Sequence, residues 1–168
     1  MLWRALQPAL LRYLSVVCAD AAEDVASETW LVASRELATF RGDPVAFRVW
    51  LFRIARHRGI DENRRAWRRR EQVHEAVDEL GAGTVARDAS LEVIEAGETA
   101  RALALIRTLP PTEAEAVMLR VVAGLDVAGT ARVLGKRPGA VRIAAMRGLR
   151  RLAASPELQR LVQRSVGP

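Results

Sequence analysis

The sequence predicts an all-α protein built as two small helical domains joined by a flexible linker. Three observations carry that expectation. Gly and Pro number only 11 and 7 in 168 residues, and the half of the chain that is apolar recurs at three- and four-residue spacing among Ala, Leu, Arg and Glu, a composition and period that favour helix over strand. The period lapses over residues 76–89, where Gly81-Ala82-Gly83-Thr84 leads into Arg87 and Asp88, so this stretch reads as a linker between a first domain, 1–75, and a second, 90–168. Positive charge is gathered in two places, one on each side of it.

The elements follow in order. Leu2, Leu6, Leu10, Leu14 and Val17 mark an amphipathic helix over 2–18. A second helix is expected from about Ala22 to Thr39, with Ala26, Trp30, Ala33 and Leu37 as its apolar stripe and Asp24, Glu28, Leu31 and Arg35 on another face. An apolar Leu31 on that polar face marks a partner contact. Gly42-Asp43-Pro44 opens a long helix: the Asp43 carboxylate can accept from a free first-turn amide, and the fixed φ of Pro44 suits the first helical position. Its Phe47, Trp50, Leu51 and Ile54 pack, and an arginine run follows. Gly59 is a weak point within it, costing about 1 kcal/mol relative to Ala, and the pattern fades after Glu71.

Val93, Ile94, Leu103, Ile106 and Leu109 restore helical spacing from Leu91 until Pro110-Pro111. Thr112 and Glu115 match the reciprocal capping pattern at the start of the next helix, which runs to about Ala123 and ends at Gly124. Asp126 caps a short helix ending at Leu134, Gly135 takes a left-handed turn, and Pro138 opens a last helix reaching Leu152. Small Ala131, Gly135 four residues later and apolar Val141 have the spacing of a helix-turn-helix over 126–152, whose second helix enters the major groove.

Charge points to a polyanion touched in two places. Arg53, Arg56, Arg58, Arg64, Arg65, Arg68, Arg69 and Arg70 face only Asp61 and Glu62, and that stretch alone accounts for the net charge of +6. From Val127 to Ser155 there are seven basic residues and no acid, and Arg142, Arg147 and Arg150 are expected to face outward toward phosphate or guanine edges. Phe40, Phe47, Trp50 and Trp67 lie beside the first run, where flat rings and positive charge suit unstacked bases. Phe47 and Trp50 are assigned mainly to the core, and Phe40, at a helix–loop boundary, to DNA.

Other classes recede. Cys18 is the only cysteine, so no disulfide forms within the chain. No leader or membrane-length apolar run is found, which predicts a soluble, cytoplasmic protein without membrane insertion. His57 and His74 lack the carboxylate or cysteine company of a metal site or a catalytic base. No metal, no cofactor and no enzymatic activity are expected.

The runs "AEDVASETWLVASREL", "FRGDPVAFRVWLFRIARHRGIDENRR" and, beyond the linker, "LIRTLPPTEAEAVMLRVVAGLDVAGTARVLG" together resemble regions two and four of extracytoplasmic-function sigma factors, in that order. The resemblance covers nearly the whole chain. It implies that 1–75 is a region-two bundle and 90–168 a region-four helix-turn-helix, and that the protein binds core RNA polymerase and directs promoter-specific initiation. It assigns Asp24, Ser27, Glu28, Leu31 and Arg35 to core polymerase. It assigns Phe40, Arg41, Gly42, Asp43, Arg56, His57, Asp61, Arg64 and Arg65 to the minus-ten element, the Phe40 loop capturing a flipped base. Arg120, Arg137, Arg142, Ile143 and Arg147 fall to the minus-thirty-five element. Implied partners are the two largest polymerase subunits, promoter DNA and an anti-sigma factor. Departures from the family pattern include Ser27 for Gln, His57 for Asn, Gly129 for Glu, Arg137 for a capping Ser, Ile143 for a small polar residue and Ala144 for Arg. A stand-alone helix-turn-helix regulator is the alternative.

Overall fold

The computed structural model describes residues 2–77 and 94–165, and every regular element among them is helical. In chain order these are α1 (Leu2–Val17), α2 (Ala22–Glu36), α3 (Pro44–Val77), α4 (Ile94–Arg107), α5 (Pro111–Val117), α6 (Val127–Leu134), α7 (Pro138–Ala153) and α8 (Pro156–Ser165). A 3-10 turn, Ala19–Ala21, leads into α2, and a π-helical turn, Met118–Val122, extends α5.

In the first half, α1 buries Leu6, Leu10, Tyr13 and Leu14 against Val25, Ala26 and Ala33 of α2 and against Phe47, Leu51, Phe52 and Ala55 of α3. Each large apolar side chain so removed from water contributes about 1.5–3 kcal/mol. Polar groups at the seams are matched: Trp30 Nε1 donates to Gln7 Oε1 at 2.6 Å, and Asn63 Nδ2 donates at 2.7 Å to the carbonyl of Val17, one of the acceptors α1 leaves free at its end. Helix α2 stops a turn earlier than expected. The amides of Thr39 and Phe40 both bond to the Glu36 carbonyl, and Leu37, expected in the apolar stripe, is 50% exposed.

Gly59 does not break α3. It is buried where α1 crosses, and a Cβ there would stand 3.0 Å from Val17 Cγ1 and 3.5 Å from Leu14 Cδ2, so the missing side chain is what lets the two helices meet. Helix α3 continues past Glu71 to Val77, which makes residues 76 and 77 of the expected linker helical. The remainder of that linker, 78–89, and the expected start of the next helix at 91–93 lie outside the described residues.

The expected reciprocal cap at Thr112 and Glu115 does not form. Pro110 is the N-cap and Pro111 the first helical residue, so Thr112 already lies inside α5, and no side chain caps it. Glu115 reaches a guanidinium elsewhere in the molecule instead, because a charge-assisted bond outweighs one to a neutral amide. The later punctuation follows the expectation. Asp126 Oδ1 accepts from the Gly129 amide at 2.6 Å. Gly124 and Gly135 take left-handed φ values of 65° and 63°, closing the ends of two successive helices. Ala131, Val133, Leu134 and Val141 are buried between α6 and α7. Glu113, 8% exposed, lies with Oε2 2.9 Å from Arg151 Nε, an ion pair without hydrogen-bond alignment. Helix α8 was not expected; Pro156 at its first turn, with the Gln159 amide donating to the Ser155 carbonyl, is the signal for it.

The two halves do not stand apart. One buried cluster runs from Leu10, Tyr13, Leu14, Val49 and Phe52 in the first half to Ala116, Met118, Leu119, Leu125 and Val133 in the second. No helix among the described residues is long and apolar enough to cross a membrane.

Candidate nucleic-acid interface

Helix α2 separates its residues cleanly. Ala22, Val25, Ala26, Thr29 and Ala33 are buried, and Asp24, Ser27, Glu28, Leu31 and Arg35 are all exposed. Leu31 is 50% exposed with acidic and basic neighbours on the same face. The hydroxyl of Thr29 would be a liability in the core but donates to the Val25 carbonyl at 2.7 Å. The five residues expected to meet polymerase therefore form one solvent-facing surface that the fold does not use.

The expected minus-ten residues fall into three settings. Phe40 is half-buried and packs on the aromatic start of α3, its ring centroid 5.0 Å from Trp50 and 5.5 Å from Phe47, an arrangement worth about 0.5–1.5 kcal/mol per pair beyond burial. Phe47 is buried and Trp50 half-buried, as expected. The loop after Phe40 is held by its own side chains: Arg41 Nη1 donates to the carbonyls of Ala38 and Phe40, each at 2.9 Å, and Asp43 Oδ1 accepts from the Ala46 amide at 2.7 Å. A Cβ at Gly42 would stand 2.9 Å from both Ala46 Cβ and the Phe40 ring.

His57, Asp61, Arg64 and Arg65 form the second setting, exposed along α3. Arg64 lies 3.8 Å from Asp61 and Arg65 3.8 Å from Glu62, loose surface pairs, and Arg69 Nη2 donates to Glu62 Oε1 at 2.6 Å. Exposed pairs of this kind contribute about 0–1 kcal/mol, so the guanidinium groups remain free to exchange partners. Arg53 and Arg68 are also exposed, and the spacing 53, 57, 61, 64, 68 sets them on the same helical face, a signal already present in the sequence.

Arg56 is the third setting, and the structure turns it away from that face. It is half-buried, with Nε 2.7 Å from Glu115 Oε2 and Nη2 3.4 Å from Glu115 Oε1. The hydroxyl of Tyr13 donates to the same Oε2 at 2.9 Å. Burial, followed by the charge of Glu115, pushes the Tyr13 hydroxyl well above its usual range. Burial, the largest single influence, would lower the Arg56 guanidinium, but the bond to Glu115, the charge of Glu115 and that of Tyr13 together outweigh it and the net shift is upward.

In the second half, Arg137, Arg142, Ile143 and Arg147 are exposed. Arg137 is the N-cap of α7 and makes no side-chain capping bond; Pro138 supplies the first helical residue. Val141, Ala144 and Gly148 form the buried face of α7, so position 144 faces the core and takes no part in a DNA surface. Arg120 is half-buried and donates to the Leu125 carbonyl, bracing the turn before α6. Its guanidinium nevertheless borders the same groove as Arg142 and Arg150, whose floor is apolar Val121, Val127, Met146 and Leu149.

Two exposed arginine surfaces thus stand on an all-helical frame, one on a long helix beside an aromatic cluster and one on a helix-turn-helix. Residues 2–69 match Sigma-70 region 2 and residues 99–152 match Sigma-70, region 4, and the chain belongs to the sigma-70 family. Within that family it belongs to the extracytoplasmic-function group. It is 39% identical over 132 residues to the ECF RNA polymerase sigma factor BldN of Streptomyces coelicolor, 37% over 133 residues to SigD of Mycobacterium tuberculosis, and 32% over 139 residues to ShbA of Streptomyces griseus. These matches take in 79%, 78% and 80% of this chain, and 49%, 61% and 71% of the respective relatives. The chain thus spans between about half and two-thirds of the length of BldN and SigD. In fold it is similar to the sigma factor RpoE of Bartonella quintana, solved in complex with the anti-sigma factor NepR, with a TM-score of 0.62, 21% identity, and 96% of this chain and 94% of that one covered.

Proposed function

We propose that this chain is an RNA polymerase sigma factor that binds core polymerase, opens the minus-ten element and contacts the minus-thirty-five element, leaving the chemistry of RNA synthesis to the polymerase. The observation that carries the reading is the division of exposed residues. Asp24, Ser27, Glu28, Leu31 and Arg35 offer a mixed polar surface with one apolar residue, suited to a protein partner. The α3 and α7 arginines offer forks suited to phosphate.

In this reading 1–75 serves as region two, 76–89 as the linker and 90–168 as region four. The two largest polymerase subunits and promoter DNA are the partners, the protein works in the cytoplasm, and it needs neither cofactor nor metal. The likeness to a sigma factor solved with its inhibitor supports an anti-sigma partner as well.

The test is transcription by purified core polymerase on a pool of genomic promoters, with and without the chain. Stimulation on a defined subset is expected. No stimulation on any promoter, together with DNA binding by the chain alone in a gel shift, would replace this reading by that of a stand-alone regulator.

A further inference from the structure

The outward face of α7 carries a restricted set of side chains. From Val127 to Ala153, across α6 and α7, there is no Asn, Gln, Asp or Glu, and Thr130 is fully buried. With Val141, Ala144 and Gly148 turned to the core, what α7 can lay against base edges is arginine and hydrocarbon. We propose that Ile143 is a thymine-reading residue: in the major groove of the minus-thirty-five element its side chain packs on the 5-methyl group of one thymine, while the arginines beside it hold phosphate or guanine. The proposal rests on the minus-thirty-five role given to α7 above and adds the identity of a base to it.

Position decides which apolar side chain reads. The second helix of a helix-turn-helix touches bases with its N-terminal residues. Its first turn here offers Pro138, Gly139 and Ala140, all exposed, and nothing lies within 4 Å of the place a Cβ on Gly139 would take. A helical side chain leans back over the turn before its own Cα, so Ile143 covers the space that Gly139 leaves open. It is the first bulky apolar side chain met from the end of the helix that enters the groove, and it is 48% exposed. Arg142 and Arg147 are exposed on either side of it, and Met146, also exposed, follows one turn behind.

Chemistry selects the base. In the major groove guanine shows two acceptors, cytosine a donor, adenine one of each, and thymine an acceptor and a methyl group. Arginine satisfies guanine. Isoleucine has neither donor nor acceptor, so against guanine, adenine or cytosine it would strip water from a polar edge and return no bond. Against thymine it meets hydrocarbon, and removing the methyl group from water is favourable. The branch at Cβ holds Ile143 near one χ1 rotamer in a helix, so little freedom is lost when the contact forms.

The experiment selects duplexes from a pool of random sequence, once with the full chain alone and once with the full chain on core polymerase. Each thymine of the enriched sequence is then replaced singly by uracil, which lacks only the methyl group, and affinity is measured for the unaltered chain, Ile143→Ala and Ile143→Val. At one thymine the loss of the methyl group should weaken binding about fourfold, the effect of one buried methyl. At that position 5-methylcytosine should bind more tightly than cytosine. Ile143→Ala should bind the thymine and uracil duplexes alike, with its melting temperature unchanged because the side chain is exposed, and Ile143→Val should keep part of the difference. Uracil tolerated at every position overturns the proposal. So does a methyl effect that survives in Ile143→Ala, or a pool that yields no preferred sequence with either preparation. A methyl effect without stimulation of transcription refutes the sigma reading alone, and promoter-specific transcription without a methyl effect refutes the thymine reading alone.

Discussion

Gly148 of α7 and Val117 of α5 touch so closely that a Cβ on the glycine would stand 2.8 Å from Val117 Cγ2. The Glu113 carbonyl lies 3.2 Å from the same point, and backbone cannot step aside as a side-chain tip can. Gly148→Ala should therefore destabilise the chain although alanine is the better helix former. Overpacking of about 1–3 kcal/mol exceeds the gain of about 1 kcal/mol in propensity. A lower urea midpoint checks this, and an unchanged or higher one would show that α7 can slide on α5.

Asp126 holds the first turn of α6 through the Gly129 amide. Asp126→Ala should cost about 1 kcal/mol, while Asp126→Asn, which keeps an acceptor oxygen, should cost less. Thermal melts of the two variants beside the parent give the ranking.

Leu31 is exposed, and no packing of the fold depends on it. Replacing it by Ala should leave the melting temperature within error and weaken binding to core polymerase by about tenfold, the loss typical of an apolar residue at an interface centre. Titration of labelled chain with core enzyme measures the second quantity; undiminished affinity would place the polymerase contact elsewhere on the molecule.

The arginines of the second half differ in what else they do. Arg147 is exposed, whereas Arg120 braces the Leu125 carbonyl. On minus-thirty-five duplex, Arg147→Ala should lower the slope of log affinity against log salt by about 1 with stability unchanged. Arg120→Ala should reduce stability as well as affinity. Equal stability loss in both variants would contradict the placement of Arg120.

Alkaline pH should loosen the fold. Burial, then the charge of Glu62, raises the Cys18 thiol from its ordinary 9.0 to about 11, and Tyr13 is shifted upward too. Both groups hold their protons more tightly folded than unfolded, so the unfolded chain releases them first. Stability that is complete below pH 9 then falls as pH rises toward about 11, by about 2–3 kcal/mol for Cys18. Urea midpoints at pH 8.5 and 10.5 should show the fall, and Cys18→Ala should lessen it.

What could be read from the sequence is what neighbouring residues decide. Asp43, Pro44, Asp126, Gly135 and Pro138 act on amides and carbonyls a few positions away, and all behave as their types dictate. The exposed face of α2 follows from helical spacing alone. The misreadings occur where a distant residue intervenes. Glu115 had a local use as a capping partner, but Arg56, 59 positions away, offers a charged one. Gly59 looks like a weak helix position until α1 is laid against it. Arg56 looks like one more member of a basic run, because the sequence does not say which way the side chain turns.

Helix α3 is 34 residues long, about 51 Å at 1.5 Å per residue. Its aromatic beginning is clamped in the core and its arginines lie further along, with no joint between them because Gly59 is wedged against α1. Such a rod behaves as a lever. A tilt of about 10° at its aromatic end would swing the far end by roughly 9 Å. A small change at one end of such a rod is thereby converted into a displacement large enough to reposition a whole row of positive charge.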